Sequence, residues 1–227
     1  LAAAMQDYKR AIIIGSTQTY GKGTVQKVLD LNRMIKANTN GDMGAFKFTI
    51  QKYYRINGGS VQLEGVKSDV VIPNRYSYID FGEKEQDNPL EWDKITAVEY
   101  TPWSSNFDYS SAIEKSKLRI KSNEYLKLID DNAKWIKSVR DNEEFTLNYF
   151  TYIDKIKEDE LTSKSFDKLK EFKTNLEFKS LPYEISLFEK DSTLELKRNR
   201  WHKNLAKDLY IEEALNVLND LKISYNN

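Results

Sequence analysis

Lys22 stands between two glycines in the run Thr19-Tyr20-Gly21-Lys22-Gly23-Thr24-Val25-Gln26, a few residues after the apolar stretch Ala11-Ile12-Ile13-Ile14 and Gly15. The apolar stretch reads as a short buried strand, and the glycines as a tight loop whose backbone can approach another group closely. Two chemistries use a lysine placed this way: phosphate binding, and peptide hydrolysis with a neutral lysine as general base. Spacing argues against the first. A phosphate loop has four residues between its first glycine and the Gly-Lys pair, then a Ser or Thr that holds magnesium. Here Ser16 to Tyr20 puts five residues between Gly15 and Gly21, Gly23 follows the lysine, and the Thr24 hydroxyl comes one position late. No acidic magnesium partner is recognisable either.

The hydrolytic reading makes a physical demand. At its reference pKa of about 10.4 a lysine is neutral in well under ~1% of molecules at pH 7, so a lysine base needs that value lowered by roughly three, worth about 4 kcal/mol. Burial in an apolar setting does this, and Ala11 to Ile14 supply an apolar strand leading into the loop. Gln26, four residues beyond Lys22, carries an amide oxygen that can orient the amine without adding a negative charge. Other candidates are weaker. His202, the single histidine, lies in the charged stretch from Arg198 to Lys203, so a Ser-His-Asp triad within this chain has little support. Ser16 and Ser60 are conceivable nucleophiles, with turn capping the plainer reading. Glu143-Glu144 and Asp130-Asp131 read as solvated acidic pairs on helical stretches.

Composition narrows the function classes. Basic and acidic residues balance at 35 each and are interspersed, so no basic face is evident for a nucleic-acid backbone, and a nucleic-acid partner is not expected. The longest apolar runs fall far short of the ~20 residues that span a bilayer. The absence of cysteine removes disulfides, thiol nucleophiles and Cys-based metal sites.

The elements that must position the lysine fall in the first part of the chain. Nearly all the glycines and the short alternating apolar stretches precede residue 95, and the remainder of the chain is rich in Lys, Glu, Asp, Leu and aromatics. An α+β organisation results, with residues 1–95 as one part and 96–227 as a helical part. Leu1 to Arg10 has an amphipathic helical pattern with no initiator methionine, cap or leading loop, and the chain reads as a fragment. Phe46, Phe48 and Ile50 alternate with Lys47, Thr49 and Gln51 in a half-buried strand running toward Tyr54. Asn57-Gly58-Gly59 then suggests a tight turn, with Val61 and Leu63 on a return strand, making a hairpin. Val70-Val71-Ile72 reads as another short strand. The polar stretch from Asn32 to Gly44, containing Asn40-Gly41-Asp42, reads as a loop, a candidate mobile insertion beside the lysine. Beyond the Pro102-Trp103 turn, a long helix is expected over about 111–141, capped by Ser110 or Ser111, with Tyr125, Leu128, Ile129, Ile136 and Val139 on one face. Tyr149 to Phe172 makes a second helical stretch interrupted near Thr162-Ser163, and Ile211, Ala214, Leu215, Leu218 and Leu221 mark a last helix. These stripes read as an ordinary bundle core, with a partner-binding groove as the alternative.

The segments LAAAMQDYKRAIIIG, TYGKGTVQ and TIQKYYRINGGSVQLEGVKSDVVIP, in that order, resemble the carboxy-terminal processing peptidases, serine peptidases with a Ser/Lys dyad, and especially their tail-specific protease branch. The likeness covers about the first 75 residues. It departs from the family's pattern where Ser16 to Tyr20 lengthens the loop slightly and where Ser68 replaces a proline before Asp69. The resemblance implies that Lys22 is the general base and Gln26 its supporting glutamine. It also implies supporting places for Asp7, Gly21 and Gly23. An acid touching the lysine would weaken it as a base, and for Asp7 pairing with Lys9 or Arg10 is an equal reading. The nucleophilic serine is expected in a Ser-x-Ser-Glu segment a few residues before Leu1. The resemblance further implies a fold in which residues 1–95 end a crotonase-like α/β peptidase domain and 96–227 form an all-helical accessory domain. It implies protein or peptide substrates bound through their C-terminal region, an upstream PDZ domain, a periplasmic or cell-envelope location, and no metal or cofactor. The expected function is therefore the C-terminal portion of a serine endopeptidase, inactive as this fragment alone. The alternative is a non-catalytic partner- or substrate-binding module derived from that family.

Overall fold

The computed structural model describes residues 1–35, 38–39 and 41–226. In chain order the elements are α1 (Ala2–Asp7), β1 (Ile14–Gly15), β2 (Thr24–Asp30), α2 (Leu31–Met34), β3 (Ala45–Lys52), β4 (Val70–Val71), α3 (Tyr109–Ser122), α4 (Glu124–Arg140), α5 (Tyr149–Ser165), α6 (Pro182–Phe188), α7 (Ser192–Leu205) and α8 (Leu209–Asn226). The chain mixes helix and strand, as an α+β composition requires. It divides into one unit of Leu1–Ile13, Thr17–Ser68 and Asp80–Ser104, and another of Ile14–Ser16, Asp69–Ile79 and Ser105–Asn227.

In the first unit, β2 and β3 form an antiparallel ribbon from Thr24 opposite Lys52 to Asp30 opposite Ala45. Its register slips between Val25 and Gln26, whose partners are Gln51 and Thr49, so Ile50 is the extra residue of a bulge. The strand expected over Phe46 to Gln51 is present, but it is not half-buried as expected, since Phe46 and Ile50 are exposed, and its partner is not the segment after the Asn57-Gly58 turn. That turn does form: Gly58 N–H donates to the Arg55 carbonyl at 2.9 Å, and Gly59 N–H to Asn57 Oδ1 at 3.0 Å. Strand pairing across it stops at a single Tyr54–Ser60 bridge. Leu63 takes a positive φ of 65°, and Gly65 N–H donates to the Val61 carbonyl, so the predicted return strand is a turn. The true partner, β2, lacks strict alternation and gives no period-2 signal. Between β2 and β3, Asn32 Nδ2 donates to Asp42 Oδ1 at 2.6 Å and Met43 N–H donates to Asn32 Oδ1 at 2.9 Å. Asn40 of the predicted Asn40-Gly41-Asp42 turn lies outside the described residues.

The second unit holds the small parallel pair β1–β4, with Ile14 opposite Val70 and Gly15 opposite Val71. Of the apolar strand expected at Ala11 to Ile14, only Ile14 is strand; Ala11 is exposed and Ile12 and Ile13 are half-buried. The helices bury Ala112, Leu126, Ala133, Leu209 and Val217. The single long helix expected over 111–141 is two, because Asn123 has extended φ and ψ and its Oδ1 accepts the Leu126 N–H at 3.0 Å, starting α4 afresh. Asp108, in place of Ser110 or Ser111, caps α3 by accepting the Ser111 N–H at 2.9 Å. On α4, Tyr125 packs edge-on against Phe172 with ring centroids 4.9 Å apart. Helix α5 ends at Ser165, and Phe166–Glu171 continues as 3-10 helix. Helices α6 and α7 carry no expected stripe.

Helix α8 presents a face that its apolar pattern does not predict. Leu209, Glu213 and Val217 are buried, whereas Leu215 and Leu218 of the expected core stripe are exposed. The cause lies on α3: Ser116 Oγ donates to Glu213 Oε1 at 2.6 Å, Arg119 grips Glu213 through Nε and Nη2, and Arg119 Nη1 donates to Asp220 Oδ2 at 2.7 Å. These charge-assisted bonds fix which side of α8 faces α3. Among the described residues, no helix is long and apolar enough to cross a membrane.

Candidate active site

The lysine loop is built by close backbone approach. Gly21 has φ of 87°, a region L side chains rarely adopt, and a Cβ there would lie 2.8 Å from the Leu63 carbonyl oxygen. A Cβ on Gly23 would lie 2.7 Å from the Gln62 backbone nitrogen. Both glycines are buried and Lys22 between them is exposed. The two glycines are therefore what lets the loop press against residues 62–63 while the lysine faces outward.

Hydrogen bonds hold the loop in that place. Leu63 N–H donates to the Gly21 carbonyl at 2.8 Å, Tyr53 N–H to the Gly23 carbonyl at 3.0 Å, and the Tyr53 hydroxyl to the Lys22 carbonyl. Gly23 N–H donates to Gln62 Oε1 at 2.8 Å. Gln62 is 0% exposed, and its Nε2 donates to the Leu90 carbonyl at 3.0 Å and to Glu83 Oε1 at 3.3 Å. Upstream, Val66 N–H donates to Thr19 Oγ1 and Thr19 N–H to the Val66 carbonyl, while Glu83 N–H donates to the Tyr20 carbonyl at 2.8 Å. Segments 62–67 and 83–90 thus cradle residues 19–23.

The candidate residues separate into those brought together and those not. Lys22, Gly21 and Gly23 share this cradle. Gln26 is the third residue of β2 and is exposed, and no hydrogen bond links its amide to Lys22 among the described residues. Asp7 touches neither Lys22 nor its expected neighbours Lys9 and Arg10. Its carboxylate takes the fork of Arg55, with Nη2 at 2.6 Å from Oδ1 and Nε at 3.0 Å from Oδ2, and its side chain is 6% exposed. Arg55 Nη2 also donates to Gln6 Oε1 at 3.0 Å, so one guanidinium ties α1 to the segment after β3. The expected apolar burial of the lysine is not provided by the described residues. Ser60 caps a turn as read, its Oγ accepting the Gln62 N–H at 2.9 Å. Ser16 Oγ accepts from Asn74 Nδ2 at 3.0 Å. His202 sits half-buried on α7 beside Trp201, and Glu143-Glu144 lies beyond the end of α4 instead of on a helix. Asp130 on α4 pairs with Lys134 at 2.7 Å and accepts from the Tyr78 hydroxyl.

Sequence reasoning missed Gln62, Tyr53 and Arg55. Gln62 occupies an outward position in the alternation read for a return strand, and only the turn there carries it inward. Among the described residues, no group of three or more His, Cys, Asp or Glu side chains is placed to hold a metal ion.

Two family models match consecutive stretches of the chain: Peptidase family S41 over residues 1–72, and the C-terminal domain of tail specific protease over residues 76–222. A tail-specific protease of Haemophilus influenzae is 40% identical over 153 residues, which is 65% of this chain and 22% of that protein. A carboxy-terminal-processing protease of Bartonella bacilliformis is 38% identical over 91 residues, 37% of this chain and 19% of that protein. The chain spans about a fifth of the length of these relatives. With the second model covering more than half of its residues, the chain belongs to the tail-specific protease family.

Proposed function

We propose that this chain is the C-terminal part of a serine endopeptidase that cleaves proteins near their C-termini, with Lys22 as its general base. The observation that carries this reading is a lysine whose loop backbone is held by Leu63, Tyr53 and Gln62 while its amine stays uncommitted. Among the described residues, Lys22 makes no ion pair and its Nζ has no hydrogen-bond partner, so the amine is free to exchange a proton with a nucleophile. Membership of a protease family supports the same assignment.

In the proposed mechanism, the neutral Lys22 amine takes the proton of a serine hydroxyl as that oxygen attacks the scissile carbonyl carbon. The resulting ammonium then gives the proton to the leaving amine, and an acyl-enzyme remains. Lys22 next deprotonates the water that releases the acyl group, and the serine recovers its hydrogen. The serine belongs to a segment preceding Leu1, and Gln26 is assigned, on the family resemblance, the role of orienting the amine. Asp7, by contrast, serves through Arg55 as a structural anchor. The desolvation a lysine base needs must come from substrate and from segments outside this chain, because the chain leaves the side chain exposed. Residues 1–95 are assigned to the end of a crotonase-like peptidase domain and 96–227 to a helical accessory domain, supported by the compositional change near residue 95; the two successive family models support a two-part division, with their junction at residues 72–76. An upstream PDZ domain and a periplasmic or cell-envelope location complete the proposal, on the strength of the resemblance to bacterial carboxy-terminal processing peptidases.

The test is hydrolysis of an unstructured, fluorescently quenched peptide with a free C-terminus. Full-length protein carrying Lys22→Ala is expected to lose turnover by at least the ~10²- to 10⁴-fold attributable to a general base, with unchanged thermal unfolding. Residues 1–227 alone are expected to hydrolyse nothing. Cleavage by that fragment, lost on changing Ser16 or Ser60 and not Lys22, would overturn the assignment.

A further inference from the structure

A lysine flanked by two glycines is poorly placed by its own backbone, because glycine populates conformations that other residues cannot and both flanking joints can turn. The peptide unit joining Lys22 to Gly23 is one of these two joints, and its orientation helps set the direction of the Lys22 Cα–Cβ bond. In the structure both polar ends of that one unit are held by side chains. Its carbonyl oxygen accepts from the Tyr53 hydroxyl, and its N–H donates to Gln62 Oε1 at 2.8 Å. Tyr53 extends this grip through its backbone N–H, which donates to the Gly23 carbonyl at 3.0 Å. Gln62 is itself immobilised, fully buried with both amide hydrogens donated, to Leu90 O and Glu83 Oε1.

We propose that Tyr53 and Gln62 are positioning residues for Lys22, locking the Lys22–Gly23 peptide plane from opposite ends so that the amine is delivered to one place. The inference rests on the reading of Lys22 as the general base. Its physical ground is that a reacting group displaced by about 1 Å can cost on the order of a hundredfold in rate. The two residues differ in a way that makes the idea testable. Tyr53 is 46% exposed, so removing its hydroxyl takes away one contact and little packing, whereas the buried Gln62 also supports Leu90 and Glu83.

The experiment uses the full-length protein and the quenched peptide, measuring kcat, KM and the melting temperature for wild type, Lys22→Ala, Tyr53→Phe and Gln62→Met. Tyr53→Phe is expected to lower kcat about tenfold, the scale of one hydrogen bond of about 1.4 kcal/mol, with KM within twofold and an unchanged melting temperature. Gln62→Met, which keeps the volume and removes the acceptor, is expected to lower kcat on the order of a hundredfold. If Lys22→Ala is inactive while Tyr53→Phe keeps wild-type kcat, the lock is wrong and the base assignment stands. If Tyr53→Phe loses kcat only in proportion to a lost folded fraction, or shifts KM instead, its role is structural or substrate-binding and the lock is equally wrong. Full activity in Lys22→Ala would remove the base assignment and the lock together. Should Gln62→Met fail to fold, Tyr53→Phe decides the question by itself.

Discussion

The two units of this chain differ in how much apolar core stands beside their buried polar contacts. Among the described residues, the lysine-bearing unit buries Val61 and Val66 as its apolar core, alongside the polar Thr24, Ser60 and Gln62. The helical unit buries the apolar Val70, Ile72, Ala112, Leu126, Ala133, Phe172, Leu209 and Val217, alongside the polar Ser116, Thr174, Glu184 and Glu213. Apolar burial is non-directional and tolerates small shifts, while hydrogen bonds to named backbone atoms set positions. The difference teaches that the first unit is organised for placement of a loop and the second for bulk cohesion. Even where the helical unit uses charges, as in Arg119 with Glu213 and Asp220, they settle which side of α8 faces α3.

Substitutions that damage each kind of holding should separate the units. The largest effect is expected in the helical core: Leu126→Ala removes a side chain that is 2% exposed and should cost about 3 to 4 kcal/mol in urea unfolding, through lost transfer energy and the cavity left behind. A loss below about 1 kcal/mol would mean that the helical unit does not depend on that core. Next comes Arg55→Ala, which leaves the Asp7 carboxylate buried without its fork and should cost about 3 kcal/mol. Replacing the pair together, Asp7→Leu with Arg55→Met, should recover most of that loss, since an apolar pair carries no desolvation penalty. If the double substitution is as damaging as the single one, the pair is doing more than anchoring α1. Smallest is Leu218→Lys on the exposed face of α8, expected within about 0.5 kcal/mol of wild type. A larger loss in the full-length protein would show that this face is covered there.

Legibility from residues alone divides along the same line. Local signals held where the physics is local: the glycines around Lys22 announced a close backbone approach, Phe46-Phe48-Ile50 announced β3, and Asn57-Gly58 announced a turn. Long-range partners were invisible. Asp7 finds Arg55 48 residues away, and Glu213 finds Arg119 94 residues away, so neither pairing could be seen until the fold supplied the guanidinium. The face of α8 went unread for that reason, its polar side being drawn inward. Gln62 was hidden differently. A glutamine at an outward position of an alternating segment carries no sign of burial, and only the turn through Leu63 brings its amide to Gly23. Asn123 illustrates a third case, a cap residue inside a continuous apolar pattern, where one side-chain hydrogen bond split an expected helix in two.

The central claim is that Lys22, fixed by its cradle, activates a serine elsewhere in the same protein. It is tested most directly by the rate at which a fluorophosphonate, whose phosphorus is attacked by a serine oxygen with loss of fluoride, labels the full-length protein, followed by intact mass and peptide mapping. Wild type is expected to be labelled on a serine preceding Leu1, with Lys22→Ala labelled at least ~100-fold more slowly at equal folded fraction. Equal labelling rates in the two proteins, or a label mapped to Ser16 or Ser60, would contradict the account.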